Sequence, residues 1–514
     1  MFSTCRHLYR LLSIGRTFAR YDALFIFDGL PGGRVVRAIL APFIRRDPRR
    51  PGQRLSDALV ELGPMFIKLG QALSTRPDVI GDDISKDLKD LRDQLPPFPF
   101  GDVQRIIRDE FECDIEGLWT EFEPTPVAAA SIAQVHFAIT SEGKPVAVKV
   151  LRPDVEELFQ RDFAMFAWAA RLIEYWRPRL RRLRLLEAVR TLEDSVTLEM
   201  DLRFEAAAAA EMAENFAGDL SFRVPAIDWQ RTGQRVMTQE RVDGIPLDQR
   251  ERIIAAGLDP RVVIAHAANA FFNMVFRDGF FHADLHPGNL FVDHQGTIVA
   301  VDFGIMGRVS TEIRRILGEM LLGFLTGNYR RVAEVHFEAG WVPDTKTVDA
   351  FSQAARSIAE PILGRPINEI SIARLLGQLF QVAEQFSMQT QPQLLLLQKS
   401  MLLAEGVGRK LEPSVNMWEL AHPLIEQWMT DTFGPAARVR ETASGVARVL
   451  ERVPSVLDYA DRAAAMIASG GLKLHPETVR DLGTTLKGEK GRTRLPAWLP
   501  WLLVAGLSLA ILAR

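Results

Sequence analysis

Two closely spaced motifs in the second half of the chain constrain its fold more than any other feature. They are residues 281–289 (FHADLHPGN) and residues 302–304 (DFG). Between them lie two β-prone runs, 290–293 and 297–301, which are separated by His-Gln-Gly. This pattern predicts a β-hairpin. Such a hairpin would bring Asn289 and Asp302 to the same end although they lie apart in the sequence.

The side chains at these positions are those that phosphoryl transfer requires. Moving a γ-phosphoryl group needs a carboxylate beside the nucleophile and oxygen ligands for Mg²⁺. Asp284 can take the first role, and Asn289 and Asp302 the second. An Asp, an Asn five residues later and a following Asp-Phe-Gly form the arrangement of protein kinases. The motifs therefore predict a phosphoryl-transfer site.

Two other interpretations of this loop are open. His282, Asp284 and His286 alternate as they would in a metal-hydrolase cluster, but a further ligand motif with zinc-type spacing is not found nearby. The loop could also be a structural turn. Within the phosphotransferases, small-molecule kinases of the aminoglycoside phosphotransferase type carry a very similar loop.

The first half of the chain contains a matching nucleotide-binding pattern. Residues 145–150 (PVAVKV) form a strand pattern that places Lys149 over ATP phosphates. An alanine-rich turn precedes this strand, where kinases have a glycine-rich loop. Its small side chains permit a close backbone approach, although alanine adopts positive φ less freely than glycine. The candidate nucleotide contacts in this turn are Ala129, Ala130, Ser131, Ile132, Ala133 and Gln134.

Acidic residues follow on a long helix or helix pair predicted at 186–216. If the helix is continuous, Asp201 and Glu205 share one face, and Glu205 is the natural partner of Lys149. The alternative is that these are surface acids paired with Arg203. Two further strands are predicted at 224–241. They would end in a hinge where backbone groups near Glu240 and Val242 can meet an adenine edge.

Charge and cysteine content limit the classes of function. The net charge of −3 over 514 residues argues against a general nucleic-acid binder, so we expect no nucleic-acid partner. Cys5 and Cys113 have no paired spacing, which indicates a reducing compartment without disulfides. Arginines recur among apolar residues in 1–20. This predicts an amphipathic helix on an anionic membrane surface, and it also resembles a mitochondrial transit segment.

The C-terminus contains an uncharged stretch. Residues 495–513 would span about 28 Å as a helix, barely the thickness of a bilayer core. Basic residues precede it, so the main body would lie on the cytoplasmic side. We expect a transmembrane anchor; the alternative is a buried terminal helix.

With these parts in order, the chain resembles the UbiB-type (ABC1/ADCK-like) atypical kinase family, whose members support ubiquinone biosynthesis. The resemblance rests on 68–71 (KLGQ), the alanine-rich turn 128–134 and 199–201 (EMD), together with the phosphoryl-transfer positions. It implies that the helix with Lys68 folds over the nucleotide pocket and that Lys68 faces Glu199 and Asp201. Restricted access of this kind makes ATP hydrolysis more plausible than protein phosphorylation. The resemblance thus predicts four regulatory residues, which are Lys68, Gln71, Glu199 and Asp201.

We expect an α+β, bilobal, protein-kinase-like fold with an N-terminal helical extension, a mostly helical C-lobe and a C-terminal transmembrane helix. The predicted regions are 1–97, 98–245, 246–490 and 495–513. The expected cofactors are ATP or ADP and Mg²⁺. The resemblance implies membrane phospholipid and quinone intermediates or quinone-pathway enzymes as partners, a homodimer being a candidate assembly. The expected location is a bacterial inner membrane, with a mitochondrial one as the alternative. A conventional protein or small-molecule kinase and a non-catalytic scaffold for quinone-pathway enzymes are the competing functions.

Overall fold

Residues 133–140 and 145–151, which are rich in apolar side chains, form two neighbouring strands of the first sheet. The computed structural model describes residues 2–27, 33–74, 80–89, 96–176, 185–361, 378, 381–383, 385–388, 392–412 and 417–433. Residues Met1–Thr430 form one compact unit and Asp431–Arg514 a second, of which only 431–433 are described.

The described strands form three sheets. They are β1 (Trp119–Phe122), β2 (Ala128–Ala129), β3 (Ala133–Thr140), β4 (Pro145–Leu151), β5 (Phe222–Arg223), β6 (Val236–Glu240), β7 (Ile245–Pro246), β8 (Phe280–His282), β9 (Leu290–Val292), β10 (Ile298–Ala300) and β11 (Met306–Arg308). The first sheet, which marks the first lobe, has the order β1-β3-β4-β6, with β2 paired to β3. The second sheet, which marks the second lobe, has the order β5-β10-β9-β7. The third sheet consists of β11 paired with β8.

Helices surround these sheets. Those of the first half are α1 (Phe2–Arg20), α2 (Gly33–Leu40), α3 (Pro51–Leu62), α4 (Pro64–Ser74), α5 (Asp82–Lys89), α6 (Phe100–Phe111), α7 (Ile115–Leu118), α8 (Val155–Trp176), α9 (Leu185–Glu199) and α10 (Leu202–Asn215). Those of the second half are α11 (Arg250–Ala255), α12 (Pro260–Phe272), α13 (Thr311–Leu325), α14 (Tyr329–Glu338), α15 (Val348–Ala359), α16 (Pro392–Leu411) and α17 (Met417–Phe433). The fold is thus α+β, as predicted.

Strand β4 has two differently used faces, because successive side chains of a strand point to opposite sides. Val146, Val148 and Val150 are buried in a cluster with Ile107 and other residues of α6. Lys149 lies between Val148 and Val150 in the sequence, so its side chain is directed to the other face of the sheet. Its backbone pairs with β3 and β6.

The N-terminal helices pack against the same lobe. Phe66 and Ile67 of α4 share a hydrophobic cluster with Ile132 and Ala133 of the alanine-rich turn. Helices α3 and α4 are separated by Gly63, which has a φ of +104°. This left-handed conformation suits glycine and ends the first helix.

Helix α1 packs within this extension through Ile14, Phe18 and Ala19. Two of its arginines form ion pairs with other helices. Arg10 lies 2.8 Å from Asp162 of α8 and is 21% exposed, whereas Arg20 contacts Glu61 of α3 and is 42% exposed. Arg10 is therefore directed toward the protein, and Arg20 remains at the surface.

The second lobe is built around the hairpin that was predicted between the two motifs. Strands β9 and β10 are antiparallel, with Ile298 opposite Val292 and Ala300 opposite Leu290. Phe281 and Phe303 from the flanking motifs are buried in the same core. The hairpin prediction is confirmed.

Two expectations for the middle of the chain had different outcomes. The helix pair that was one of the two alternatives for 186–216 is confirmed as α9 and α10, and Asp201 is the N-cap of α10. Of the two strands predicted at 224–241, one forms as β6, whereas β5 lies just upstream and joins the second lobe, parallel to β10. A two-residue strand provides almost no periodicity, so its pairing depends on tertiary contacts.

No helix in the described part of the chain is long and apolar enough to cross a membrane. The span predicted at 495–513 lies outside the described residues.

Candidate active site

A buried ion pair forms the centre of the cleft between the lobes. Lys149 Nζ on β4 donates to Glu205 Oε1 at 2.7 Å and to Oε2 at 2.9 Å. Glu205 lies in the first turn of α10, and the two side chains are only 7–13% exposed. The pair that the sequence suggested is present, and it fixes the lysine against the helix.

Asp302 joins this pair from the second lobe. Its Oδ2 lies 3.3 Å from Lys149 Nζ, and its Oδ1 accepts from the Gly304 N–H at 3.2 Å. The backbone of Asp302 is left-handed, with a φ of +64°, and its side chain is 48% exposed. A non-glycine residue at positive φ is typical of functional sites. Lys149 thus bridges two carboxylates, one from each lobe.

The loop that carries Asp284 is held by its own histidines. The buried His282 ring accepts the Asp284 N–H at its Nδ1 (3.0 Å), and His286 Nδ1 accepts the Gly288 N–H (3.1 Å). Both rings therefore stabilise the backbone of the loop. Among the described residues there is no group of three or more His, Cys, Asp or Glu side chains arranged to hold a metal.

Asn289 lies beside both aspartates. Its Nδ2 donates to the Asp284 carbonyl oxygen at 3.2 Å, which leaves the amide oxygen available as an acceptor. Its own carbonyl oxygen accepts from the Val301 N–H at 2.9 Å, one residue before Asp302. The hairpin therefore brings Asn289 and Asp302 to the same end, as predicted.

Burial and charge set the ionisation of the three central groups. Burial lowers the pKa of Lys149, but the charges of Asp302 and Glu205 outweigh it, so the pKa of Lys149 lies above its ordinary value. Burial raises the pKa of Glu205 above its ordinary value, and the charge of Lys149 offsets part of that effect. Partial burial would also raise the pKa of Asp302, but the charge of Lys149 and the Gly304 N–H lower it to about 2. Lys149 and Asp302 are therefore charged at neutral pH.

The loop that bears Asp284 has a further cationic neighbour that the sequence reasoning missed. Lys399 Nζ on α16 lies 2.9 Å from Asp284 Oδ1. No motif marks this lysine, which stands more than a hundred residues after Asp284. Its one signal is that it interrupts the apolar run 394–403 (LLLLQKSMLL).

The alanine-rich turn is a close-packed hairpin rather than an open loop. The Ala130 N–H donates to the Ala133 carbonyl at 2.7 Å, and the guanidinium of Arg152 donates to the Ala130 carbonyl at 2.9 and 3.0 Å. Ala129 and Ala130 are half-buried, while Ser131, Ile132 and Ala133 are buried. The sequence did not predict the contact between Arg152 and the Ala130 carbonyl, because the two residues are twenty-two positions apart.

Gln134 does not offer its side chain to the cleft. Its Oε1 accepts the Phe98 N–H at 3.0 Å, and its Nε2 lies 2.9 Å from His136 Nε2. The side chain is 1% exposed. The Gln134 side chain holds the segment before α6 against the sheet. It is therefore not directed at a nucleotide, in contrast to the prediction.

The predicted hinge joins the two lobes. Glu240 is the last residue of β6 and β7 belongs to the second sheet, so residues 241–244, including the half-buried Val242, connect them. The Glu240 N–H donates to the Ala226 carbonyl, and its carboxylate lies 3.0 Å from Arg223. The Glu240 side chain is thus occupied within the protein.

The helical extension contacts the end of α9 through Lys68 of α4. Its Nζ lies 2.7 Å from Glu199 Oε2, at the end of α9, and both side chains are largely buried. Asp201 instead accepts from the backbone and guanidinium of Arg203, which lowers the pKa of its carboxyl. Half-buried Gln71 lies one turn after Lys68 on the same helix. Lys68 therefore pairs with Glu199, and Asp201 is a helix cap.

The residues present fit a magnesium-bound nucleotide. Mg²⁺ is usually held by one or two protein oxygens together with phosphates and water. The Asn289 amide oxygen and the Asp302 carboxylate provide such oxygens at one end of the hairpin. Lys149 provides the cation that phosphates require.

Comparison with known proteins places this site in a family. Residues 90–336 match the ABC1 atypical kinase-like domain, and residues 355–416 match the UbiB helical domain. The chain is 39% identical over 472 residues to a protein of Marinobacter nauticus named "Probable protein kinase UbiB", covering 90% of this chain and 86% of that one. It is 37% identical over 465 residues to a protein of the same name from Xanthomonas euvesicatoria, covering 87% and 83%.

A solved structure supports the same fold. The Mycobacterium tuberculosis protein in the structure titled as the complex of Rv3197 with erythromycin is 24% identical, with a TM-score of 0.50. The match covers 71% of this chain and 92% of that chain, and it shows a shared fold alone. On the extent and identity of the sequence matches, the chain belongs to the UbiB family of ABC1-type atypical kinase-like proteins.

Proposed function

We propose that this protein binds Mg-ATP in the cleft and hydrolyses it, or transfers its γ-phosphoryl group, in support of isoprenoid-quinone biosynthesis. The observation that carries the proposal is Lys149 held between Glu205 and Asp302, beside the loop that bears Asp284 and Asn289. The family name of the relatives supports the quinone pathway.

Each side chain has a defined task in this proposal. Lys149 contacts the α- and β-phosphates, and Glu205 keeps it in place. Asp284 orients the attacking water or an acceptor hydroxyl. Asn289 and Asp302 would hold Mg²⁺, which supplies charge neutralisation at the phosphates when bound.

The packing of α4 on the alanine-rich turn supports hydrolysis over phosphorylation of a protein. Lys68 and Glu199 pair at 2.7 Å with exposed fractions of 14% and 11%, and α4 packs on the alanine-rich turn. A folded protein acceptor would have to displace this helix. Lys68 also compensates a carboxylate that would otherwise repel the triphosphate.

The decisive experiment is ATP turnover by the purified full chain with Mg²⁺ and phospholipid vesicles. Asp302→Asn should lower kcat by roughly 100-fold, since it removes the charged metal ligand. Asp349→Asn is the matched control, because Asp349 is 85% exposed on α15 and pairs only at the surface with Arg330. Equal turnover by Asp302→Asn and the parent would overturn the proposed metal site. Phosphate release without a labelled acceptor would favour hydrolysis over a conventional kinase.

The role in quinone synthesis needs a test in cells. In cells lacking this protein, quinone intermediates should accumulate, and the parent should restore the product while Asp302→Asn should not. Rescue by both would favour the non-catalytic scaffold.

We also propose that the protein associates with anionic phospholipid at a bacterial inner membrane, with its main body on the cytoplasmic side. Val35 and Ile39, four residues apart on α2, are each 62% exposed, and Phe43 beside them is 44% exposed. Arg45 and Arg46 are exposed next to this apolar strip. An apolar strip with adjacent arginines suits an anionic membrane surface. The bacterial origin of the two relatives described above supports this location over a mitochondrial one.

Sedimentation with vesicles tests the membrane proposal. Ile39→Glu should reduce the fraction of protein bound to anionic vesicles. The control Val262→Glu, at an exposed position on α12, should not change it. Equal binding by both variants and the parent would overturn the role of the apolar strip.

A further inference from the structure

The helix that follows the kinase-like region places a lysine on the catalytic loop. Lys399 of α16 lies 2.9 Å from Asp284 Oδ1, and the two side chains are 29% and 37% exposed. A surface ion pair of this exposure contributes little to stability. Its position, at the carboxylate proposed to orient the nucleophile, suggests a role in the reaction instead.

Helix α16 is firmly anchored, so this lysine is held in place. Leu397, Val407 and Leu411 are buried in the core of the second lobe. The Leu411 carbonyl at the end of the helix accepts from Arg250 Nε at 2.7 Å. Charged groups contribute most to catalysis when they are fixed before the substrate arrives.

The site needs a cation at this point. The carboxylate of Asp284 must lie close to the nucleophile, and hence close to the γ-phosphoryl oxygens, which carry like charge. Lys149 is already engaged by Glu205 and Asp302. A lysine has three N–H donors, so Lys399 can contact Asp284 and still donate to a phosphoryl oxygen.

We infer that Lys399 is a phosphate-contacting residue that binds the γ-phosphoryl group of ATP beside Asp284. The inference rests on the proposed function and adds the UbiB helical region to the nucleotide site. During hydrolysis the water oxygen bonds to the γ-phosphorus as the bond to the β,γ-bridging oxygen breaks. The water proton passes to Asp284 or to the released phosphate, and Lys399 offsets the charge on the moving group.

Variants of the full chain test this role through both turnover and binding. Lys399→Met should lower kcat by about 100-fold, as the loss of one preorganised donor does in other enzymes. It should weaken binding of a non-hydrolysable ATP analogue about tenfold. Binding of ADP should stay within about twofold, because ADP lacks the γ-phosphate. Lys399→Arg should retain most of the turnover, and Lys399→Gln should not.

Lys410→Met is the matched control, since Lys410 lies on the same helix and pairs with Asp248 at 3.7 Å away from the catalytic loop. Equal losses for ADP and for the ATP analogue in Lys399→Met would mean a structural role and would overturn the inference. Turnover equal to or faster than the parent would overturn it as well.

Two further outcomes keep the inference separable from the proposed function. If Lys399→Met does not fold, the comparison of Lys399→Arg with Lys399→Gln decides, and equal kcat in these two contradicts a charge-dependent contact. If the parent neither binds ADP nor hydrolyses ATP, the proposed function and this inference both fail. A parent that turns over ATP while all three Lys399 variants match it refutes the inference alone.

Discussion

Removing the negative charge of Glu205 should destabilise the protein more than removing any exposed acid from the same helix. Glu205→Gln keeps the shape of the side chain but leaves the Lys149 ammonium, which is 13% exposed, without its bidentate partner. Breaking a buried ion pair by deleting one partner costs about 3–5 kcal/mol. Asp302 remains at 3.3 Å from Lys149 and would retain part of the attraction. We therefore expect a loss of about 3 kcal/mol, at the lower end of that range.

The assay is urea unfolding at neutral pH, followed by tryptophan fluorescence, with Glu211→Gln as the matched control. Glu211 lies on the same helix, α10, and pairs with Arg308 at 2.5 Å, but that pair is 39–66% exposed. Its loss should cost at most about 1 kcal/mol. ATP turnover should fall only in Glu205→Gln, because Lys149 loses its fixed position.

A double variant separates an unpaired charge from lost packing. Lys149→Met with Glu205→Leu should be more stable than Glu205→Gln, since replacing a buried pair by apolar residues is often neutral. If Glu205→Gln shifts the unfolding midpoint no further than Glu211→Gln, the ion pair does not hold the lobe as argued above.

Two other predictions concern packing and pH. Gly307→Ala should destabilise the protein by roughly 1–3 kcal/mol, because the added Cβ would lie 2.2 Å from the buried ring of Phe281. In the control Gly406→Ala, on α16, the added Cβ meets open space, so this variant should be neutral or slightly stabilising. Similar unfolding midpoints for the two variants would contradict this prediction. Burial lowers the pKa of His336 below its ordinary value of 6.5, so its neutral form in the folded state contributes stability that is present above pH 6.5 and is lost as the pH falls from there toward the folded-state pKa. In His336→Leu the free energy of unfolding should vary less steeply with pH below 6.5, by at most about 1.4 kcal/mol per pH unit; an unchanged slope would show that this ring does not titrate as expected.

The local chemistry of the site was legible in the sequence because it resides in short, contiguous motifs. The spacing from Asp284 to Asn289 and on to Asp302, with a hairpin between, placed the side chains that meet in the cleft. The strand pattern around Lys149 indicated its place in the site, and the acidic residue Glu205 on a predicted helix was the partner expected for it. Alternation and turn residues determine such local elements before any long-range contact forms.

Other features depended on contacts between distant segments, which periodicity does not encode. Asp201 became a helix cap rather than a partner of Lys68, because the backbone turns between α9 and α10. Gln134, in a motif that suggested nucleotide contact, is used instead to hold Phe98. Burial decided the outcome for Gln134, since a buried polar group takes the nearest partner that satisfies it.

The sequence by itself determined the family, the motifs that carry the candidate site residues and the hairpin that joins them. The tertiary structure alone decided that Asp302 also contacts Lys149, and that Lys399 from α16 lies against Asp284. The physical reason is the same in both cases. An ion pair between residues more than a hundred positions apart depends on how helices pack, and helix packing follows from the whole core rather than from any short stretch of sequence.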